Sequence, residues 1–342
     1  MNTYRLLKYY RGIKSQRLKA VGLLTLHLLH RRYVNFFFDP ILSCNLRCRM
    51  CFFSMSQYRT SLLGLHFTHD DVQAIAQSIF PSILKLQIGC GAEPTVYRDF
   101  PFIVDLARQY GVPYVSLTTN GNLLSAALLE DLAGKGLDEI TISAHGFTRE
   151  SYEAMMPGAS FDKFLNLIEA LKALRASYSN FKVRVNFTVN EDNVQDLLLM
   201  PPLFAGLQLD VVQLRPIQKL GDTSYSNFSK TKIIGHYDEY ITPVVEHFRS
   251  LGTVVSYPTV ENLRKVDGVE DTDTSNSLID TIPQFYLGPH KGWRRKIDPY
   301  KETFRDYCKR NHRVTLLLRC IFFRSGKSEN LKTKNLNYRV AD

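Results

Sequence analysis

The sequence has few cysteines, no internal repeat and no long hydrophobic run. Six cysteines in 342 residues are too few for a disulfide framework. The apolar stretch at residues 21–30 contains two histidines and falls short of the roughly 18 residues that a membrane-spanning helix needs. A disulfide-stapled domain and a span formed by this stretch are therefore excluded. Overall disorder is excluded too, because a chain of this length with 44% hydrophobic residues buries a large core.

The charges are unequal in number. The chain carries 43 Lys and Arg residues against 33 Asp and Glu residues, a formal net charge of +10. Such a balance favours anionic partners, including acidic lipids, phosphorylated molecules and nucleic acid. Three of the six cysteines lie within eight residues, a spacing that favours metal ligation in a reducing compartment. We therefore predict a cytoplasmic protein.

Short runs of β-branched and aromatic residues alternate with helical patterns from residue 33 onward. This alternation is typical of repeated βα units and a parallel sheet, so we predict the α/β class. Parallel strands wrapped by helices place functional residues at the carboxyl ends of the strands, where the βα loops open. Six strands are predicted, at residues 34–39, 84–88, 114–118, 139–143, 183–189 and 211–214.

Helical patterns fill the intervals between these strands. Thr68 is predicted to cap the first of them, with Asp71 at the positive end of the helix dipole. Residues 267–276 are acidic and rich in turn formers, which indicates a surface loop. The predicted helices cover residues 68–80, 98–110, 125–135, 161–176, 192–204 and 230–251.

Three cysteines follow the first predicted strand in the pattern Cys44-x3-Cys48-x2-Cys51. One loop thereby supplies three thiolates to an iron–sulfur cluster, and three ligands for four irons leave one iron open for chemistry. Arg47 and Arg49 lie between the ligands, where they either offset the negative charge of the cluster or face solvent. Structural zinc is the first alternative, although no fourth ligand follows at short spacing. The second alternative is a group of buried free cysteines.

This loop resembles that of the radical S-adenosylmethionine (SAM) superfamily, where it follows the first strand of a partial (β/α)6 TIM-like barrel. The resemblance covers residues 34–257 and continues at the next strand ends. In one of these segments, at the end of the fourth strand, His145 stands where the family pattern has an aspartate. The matching segments are Gly89-Cys-Gly-Ala-Glu-Pro94, similar to the Gly-Gly-Glu-Pro motif; Thr118-Thr-Asn-Gly121, similar to a Thr-Asn-Gly loop of the cofactor- and peptide-maturing branch; and Ser143-Ala-His-Gly146, similar to a Ser-x-Asp-Gly segment.

The resemblance implies a [4Fe–4S] cluster on Cys44, Cys48 and Cys51 and a SAM site at the neighbouring strand ends. Glycine lets the backbone approach a ligand closely, and the carboxylate of Glu93 suits the SAM ammonium group. Arg215 is the expected partner of the SAM carboxylate. The residues implied to contact SAM are Met50, Gly91, Ala92, Glu93, Pro94, Thr119, Asn120, Ser143, Asn186 and Arg215.

The implied activity is reductive cleavage of SAM to methionine and a 5′-deoxyadenosyl radical, which abstracts hydrogen from a substrate. Cys90 is a candidate hydrogen donor and His145 a candidate proton-transfer residue. The alternatives are packing for Cys90, a backbone hydrogen bond for His145, a strand-end cap for Asn186 and a surface salt bridge for Arg215. An iron–sulfur sensor without turnover and a radical SAM methylase are the competing functions.

The chain divides into four predicted regions. Residues 1–33 form basic amphipathic helices, which either pack on the outside or bottom of the barrel or contact the inner membrane surface peripherally. Residues 34–257 form the core barrel, residues 258–323 form an extension over the barrel mouth, and residues 324–342 are a basic tail.

The substrate is not written in the sequence. Cys308 and Cys320 are too few for an auxiliary cluster. We expect interleaved aromatic and basic residues of the extension to hold an anionic substrate, and the hydrophobic, basic N-terminus favours a lipid-linked one. No nucleic-acid module accompanies them, so nucleic acid is not an expected partner, and a flavodoxin or ferredoxin is the expected electron donor. The extension residues are Phe285-Tyr286, Trp293-Arg-Arg295, Tyr300 and Phe304.

Overall fold

A computed structural model describes residues 12, 13, 15–218, 222–264 and 278–323. Its strands form one parallel sheet in the order β7-β6-β5-β4-β3-β2-β1-β8. The predicted α/β class is therefore confirmed, and all six predicted strands are present. The strands are β1 (Val34–Phe38), β2 (Ile83–Ile88), β3 (Val115–Thr119), β4 (Glu139–Ala144), β5 (Lys182–Val189), β6 (Val211–Pro216), β7 (Val254–Ser256) and β8 (Gln284–Leu287).

Helices precede, connect and follow the strands. Thr68 caps the helix His69–Ile79 in a reciprocal capping box with Asp71, as predicted. Within the described residues the helices are α1 (Gln16–Leu28), α2 (Ser56–Ser61), α3 (His69–Ile79), α4 (Phe100–Gln109), α5 (Ala126–Lys135), α6 (Arg149–Met155), α7 (Phe161–Ser177), α8 (Met200–Leu203), α9 (Thr231–Gly235), α10 (Tyr237–Tyr240), α11 (Thr242–Ser250), α12 (Val260–Arg264), α13 (Leu278–Thr281), α14 (Phe304–Arg310) and α15 (Arg313–Phe322).

The two faces of the sheet differ in polarity. In β5, the side chains of Val183, Val185 and Phe187 are fully buried and belong to the same hydrophobic core as the inward faces of the helices. Arg184 and Asn186 alternate with them and face the opposite side, because successive strand residues point to opposite faces. The helices therefore cover an apolar face, and the polar inner face is left for the site.

Two predicted helices are interrupted in the structure. The predicted helix at residues 230–251 is three short helices, α9, α10 and α11. His236 leaves helical geometry after Gly235, and Pro243 lies in the first turn of α11, where a missing N–H does no harm. The predicted helix at residues 192–204 begins instead as a 3₁₀ segment, Val194–Leu199, before the Pro-rich α8.

The strands β7 and β8 were not predicted, because each has only three or four residues. Strand β8 comes from the C-terminal region, yet it pairs in parallel with β1, the first strand of the sheet. The predicted loop at residues 267–276 and the predicted tail at residues 324–342 lie outside the described residues, as do residues 1–11. No helix in the described ranges is long and apolar enough to cross a membrane.

Candidate active site at the carboxyl ends of the strands

The cysteine loop follows β1 and is held by the backbone of a distant segment. Cys44, Cys48 and Cys51 are free thiols, each partly exposed. The N–H groups of Arg47 and Arg49 donate to the carbonyl groups of Pro157 and Met155, 2.9 and 3.0 Å away, at the end of α6. The loop thus has a fixed path although it contains no regular element before Phe52.

The three thiols lie in surroundings that disfavour negative charge. Burial raises the pKa of all three, to about 12 for Cys44, and the neighbouring cysteines raise the pKa of Cys48 further. The two arginines of the loop bond to other groups rather than to the thiols. Arg47 donates to the carbonyl groups of Cys44 and Leu46. Arg49 pairs with Asp192 at 3.3 Å. A bound cation is therefore what would stabilise these three groups as thiolates.

The loop after β2 is shaped by a buried carboxylate at the end of β1. Asp39 is 1% exposed and accepts hydrogen bonds from the N–H groups of Cys90 and Gly91, at 2.7 and 3.0 Å. Tyr286 of β8 donates its hydroxyl to the same carboxylate at 3.1 Å. Burial raises the pKa of Asp39 to about 6, and these donors oppose the rise. Asp39 was predicted only as the last residue of a strand, so its role is an addition from the structure.

Glycine is required at the start of that loop. Gly89 has φ +85°, and a Cβ built there would lie 2.3 Å from the carbonyl oxygen of Thr118. The next residues are exposed at Cys90 and Gly91, half-buried at Ala92 and buried at Pro94, which begins a single 3₁₀ turn. The backbone of this loop therefore lies close to the end of β3 and leaves Gly91 accessible to a ligand.

Glu93 joins the second and third strand ends. Its Oε1 accepts hydrogen bonds from the hydroxyl groups of Thr95 and Thr119, at 2.6 and 2.7 Å, and its Oε2 accepts one from the N–H of Asn120 at 2.7 Å. The side chain is 3% exposed, and burial raises its pKa. Oε2 can still accept another hydrogen bond, but the main role of the carboxylate is as a brace that joins the two loops. Sequence reasoning missed the brace, because it joins residues 26 apart.

Asn120 connects this brace to the cysteine loop. Its Nδ2 lies 2.9 Å from Oδ1 of Asn45 and 3.9 Å from Sγ of Cys44. An amide that donates to a ligating sulfur tunes a metal site through its surroundings rather than by direct ligation. The ends of β1, β2 and β3 thus form one hydrogen-bonded unit.

The ends of β4, β5 and β6 bring together four of the predicted residues. Ser143 and Asn186 are partners in the register of β4 and β5. Nδ1 of His145 accepts a hydrogen bond from the N–H of Thr188 at 3.2 Å. Burial and then Arg215 lower the pKa of His145 to about 4, so its ring is neutral at neutral pH.

Two arginines converge on one amide of the inner face. Arg184 and Arg215 both donate to Oε1 of Gln213, Arg215 at 3.1 Å, and Arg184 also donates to Asn186 at 3.2 Å. Within the described ranges, no carboxylate forms an ion pair with Arg184. Two guanidinium groups in such surroundings suit an anionic group of a ligand. Arg184 was not predicted, although its alternation with valines in β5 marks it as inward-facing.

Four other singled-out residues have side chains that pack or bond outside this unit, although Met50 and Cys90 belong to its loops by sequence. Met50 is 9% exposed and packs in the hydrophobic core. The thiol of Cys90 lies 3.9 Å from the carbonyl oxygen of Gln87. Cys308 and Cys320 are both buried.

The extension aromatics are largely used in packing. Phe285 and Phe304 are buried against each other, with ring centroids 5.1 Å apart. The ring of Trp293 packs edge-on against Phe67, and Arg294 pairs with Asp71 at 2.8 Å. Tyr286 is the residue of this group that reaches the site, through Asp39.

This geometry has known relatives. Residues 40–198 match the family model described as the radical SAM superfamily. This region is similar to that superfamily. The match contains the cysteine loop, the Glu93 brace, Asn120 and the ends of β4 and β5, so the predicted resemblance is confirmed.

Two curated relatives and one solved structure illustrate the likeness. A probable GTP 3',8-cyclase of Saccharolobus islandicus is 29% identical over 209 residues, which cover 58% of this chain and 62% of the relative. The protein of the same name from Sulfolobus acidocaldarius is 25% identical, covering 59% and 63%. Streptococcus suis SuiB bound to S-adenosylmethionine superimposes with a TM-score of 0.53 at 13% identity, covering 75% of this chain and 58% of SuiB. The chain thus spans less than two thirds of the length of these curated relatives.

The protein contains residues that fit the cofactors this resemblance implies. Three thiols on one loop suit a [4Fe–4S] cluster, whose ligands bind separate irons and are spaced more widely than the ligands of one ion. Among the described residues, no three His, Cys, Asp or Glu side chains are arranged to hold a single metal ion. The accessible backbone of Gly91 and the arginines of the inner face suit the amino acid part of SAM.

Proposed function

We propose that this protein is a radical SAM enzyme that binds a [4Fe–4S] cluster through Cys44, Cys48 and Cys51 and cleaves SAM reductively. The observation that supports this most directly is the hydrogen-bonded unit that joins the cysteine loop to Glu93 and Asn120. A protein that only carried a cluster would need the thiols alone. When bound, the cluster supplies the electron that splits SAM into methionine and a 5′-deoxyadenosyl radical.

The chain's own residues position SAM and exclude water in this proposal. Asp39 and Glu93 hold the loop whose backbone, around Gly91, faces the SAM amino group. Ser143 and Asn186 lie at the adjacent strand ends and are available to the ribose or the carboxylate. Arg215 binds the SAM carboxylate. Such fixed donors gain their effect from being in place before the reaction.

We further propose that the substrate carries an anionic group, bound by Arg184 on the inner face of β5. The position of Arg184 supports this, because its side chain is half-buried and its hydrogen-bond partners Asn186 and Gln213 are neutral amides. The name of the curated relatives makes a nucleoside triphosphate the first compound to test.

A cleft beside the cysteine loop is our proposed approach for the electron donor. It has a volume of about 300 Å³ and borders Cys44, with Arg47, Arg59 and His66 among its lining residues. A cationic lining suits an acidic flavodoxin or ferredoxin. Arg59→Glu is expected to slow turnover with reduced flavodoxin about tenfold and to leave turnover with dithionite unchanged.

Anaerobic reconstitution tests the main proposal. The wild-type protein is loaded with iron and sulfide, reduced with dithionite and given SAM, and 5′-deoxyadenosine is quantified with and without GTP. Deoxyadenosine from the wild type and none from Cys48→Ala is the expected result. A stable cluster without deoxyadenosine under any reductant would favour the sensor instead. Methyl transfer to a substrate, accompanied by S-adenosylhomocysteine, would favour the methylase.

A further inference from the structure

The first and last described helices pack side by side. Ala20 and Leu23 of α1 and Leu317 of α15 are buried in the common core. Arg305 of α14 donates to the carbonyl group of His30, just after α1, at 3.3 Å. Burial and then the charge of Arg313, the first residue of α15, lower the pKa of His27 near the end of α1. The end of α1 therefore lies near the start of α15, so the two helices run in opposite directions. We call them the terminal helix pair.

The outer face of this pair is apolar. Among the described residues, fifteen large hydrophobic side chains are exposed, and seven of them belong to the terminal helix pair and its ends. On α1, the exposed residues are separated by three and seven positions, so they lie along one side of the helix. The seven are Leu18, Val21, Leu28 and Leu29 near α1 and Leu318, Phe322 and Phe323 near α15.

The positive charge of the chain is concentrated in the two stretches of sequence that contain these helices. Residues 1–38 contain eight Lys and Arg residues and no acidic residue. Residues 313–342 contain seven basic and two acidic residues. Together they carry a formal charge of +13, compared with +10 for the whole chain, so the other 274 residues carry −3. The positive charge is therefore a property of the termini and not of the barrel.

We infer that the terminal helix pair docks on an anionic lipid bilayer. An apolar helix face flanked by Lys and Arg residues is suited to the interface between headgroups and acyl chains. Acidic lipids complement the basic termini. If a second copy of this chain docked there instead, the terminal segments of the two copies, with a formal charge of +13 in each copy, would repel one another.

Docking in this way keeps the site accessible. Helix α1 leads into the amino end of β1, whereas the cysteine loop follows the carboxyl end of the same strand. The bilayer would therefore contact the end of the barrel opposite the thiols. The inference does not rest on the proposed function, so it is testable with cluster-free protein.

Vesicle flotation tests this inference. The full chain is mixed with vesicles of phosphatidylcholine alone or with added phosphatidylglycerol. We expect binding only to the anionic vesicles, and weaker binding when salt rises from about 0.1 M to about 1 M, where the Debye length falls to about 3 Å. Two variants, Leu28→Ser/Leu29→Ser and Phe322→Ser/Phe323→Ser, are each expected to lower vesicle partitioning about tenfold or more.

Leu198→Ser/Leu199→Ser is the matched control, because these two leucines are 44% and 40% exposed but lie in the 3₁₀ segment after β5. This control is expected to bind vesicles as the wild type does. Thermal unfolding and size-exclusion chromatography of every variant show that each is folded and monomeric. The inference is wrong if anionic vesicles do not bind the wild type, if the control and the helix-pair variants lose binding equally, or if the helix-pair variants abolish a dimer instead.

Discussion

The carboxyl end of the sheet and the terminal helix pair depart from the usual pattern of burial in opposite ways. At the sheet, Asp39 and Glu93 are acidic, yet they are 1% and 3% exposed. In the helix pair, Leu28 and Phe322 are apolar, yet they are 60% and 70% exposed. A buried charge and an exposed apolar patch are both informative, because each costs free energy unless something binds or holds it. In the first region the protein itself supplies the partners, and in the second a bilayer is our proposed partner.

The largest expected contrast between the two regions is in their glycines. Gly89→Ala forces a side chain into positive φ and against the carbonyl of Thr118, so it should lower the free energy of unfolding by about 3 kcal/mol or more. Gly22→Ala in α1 meets no atom within 4 Å, and it should raise that free energy by about 0.5–1 kcal/mol. Urea unfolding of both variants measures the difference. Similar effects of the two substitutions would contradict the close packing at Gly89.

The next contrast concerns pH. Burial raises the pKa of Asp39 from 3.8 to about 6, so the folded state holds this proton more tightly than the unfolded state does. The resulting stabilisation is fully present below pH 3.8 and is lost as the pH rises through about 6. The free energy of unfolding of the wild type relative to Asp39→Asn should therefore fall by about 2 kcal/mol between about pH 4 and about pH 7.

Urea titrations at several pH values test this, and taking the difference between the two proteins removes the opposite contribution of His145. The lowered pKa of His145 gives stabilisation that is present above its ordinary value of 6.5 and lost as the pH falls through about 4. A difference that does not change with pH would mean that Asp39 is not the buried acid described above.

The smallest expected effect is in the helix pair. Lys19 of α1 lies 2.7 Å from Asp280 of α13, but Asp280 is 39% exposed. Lys19→Gln should therefore lower the free energy of unfolding by about 1 kcal/mol or less, and high salt should reduce the effect. A loss of unfolding free energy several times larger would show that this ion pair behaves like the buried groups at the sheet end.

Local patterns predicted the parts of the fold that depend on neighbouring residues. The Thr68 cap was predictable because its partner Asp71 is three residues away. Strands β1 to β6 were predictable because each is a short run rich in β-branched or other apolar residues. The interruptions of the helix at residues 230–251 were missed. The helical spacing of its apolar residues continues past Gly235 and Pro243, although the backbone leaves helical geometry between them. Strand β8 is too short for any pattern to distinguish it.

The candidate site was predictable by position and not by contact. The strand-end rule placed the cysteine loop, Glu93 and Asn120 near one another. It did not reveal that Glu93 is held by Thr95, Thr119 and Asn120. These bonds depend on side-chain orientation, which spacing along the chain does not specify.

The sequence by itself determined the order of βα units, the three-cysteine loop and the concentration of positive charge at the two ends of the chain. Only the tertiary structure decided that β8 lies beside β1, that Tyr286 reaches Asp39 across 247 positions, and that α1 packs against α15. The physical reason is the separation along the chain of the residues that set each property. Periodicity and capping are set by residues a few positions apart, whereas burial depends on which distant segments meet, and that is settled only when the whole chain packs.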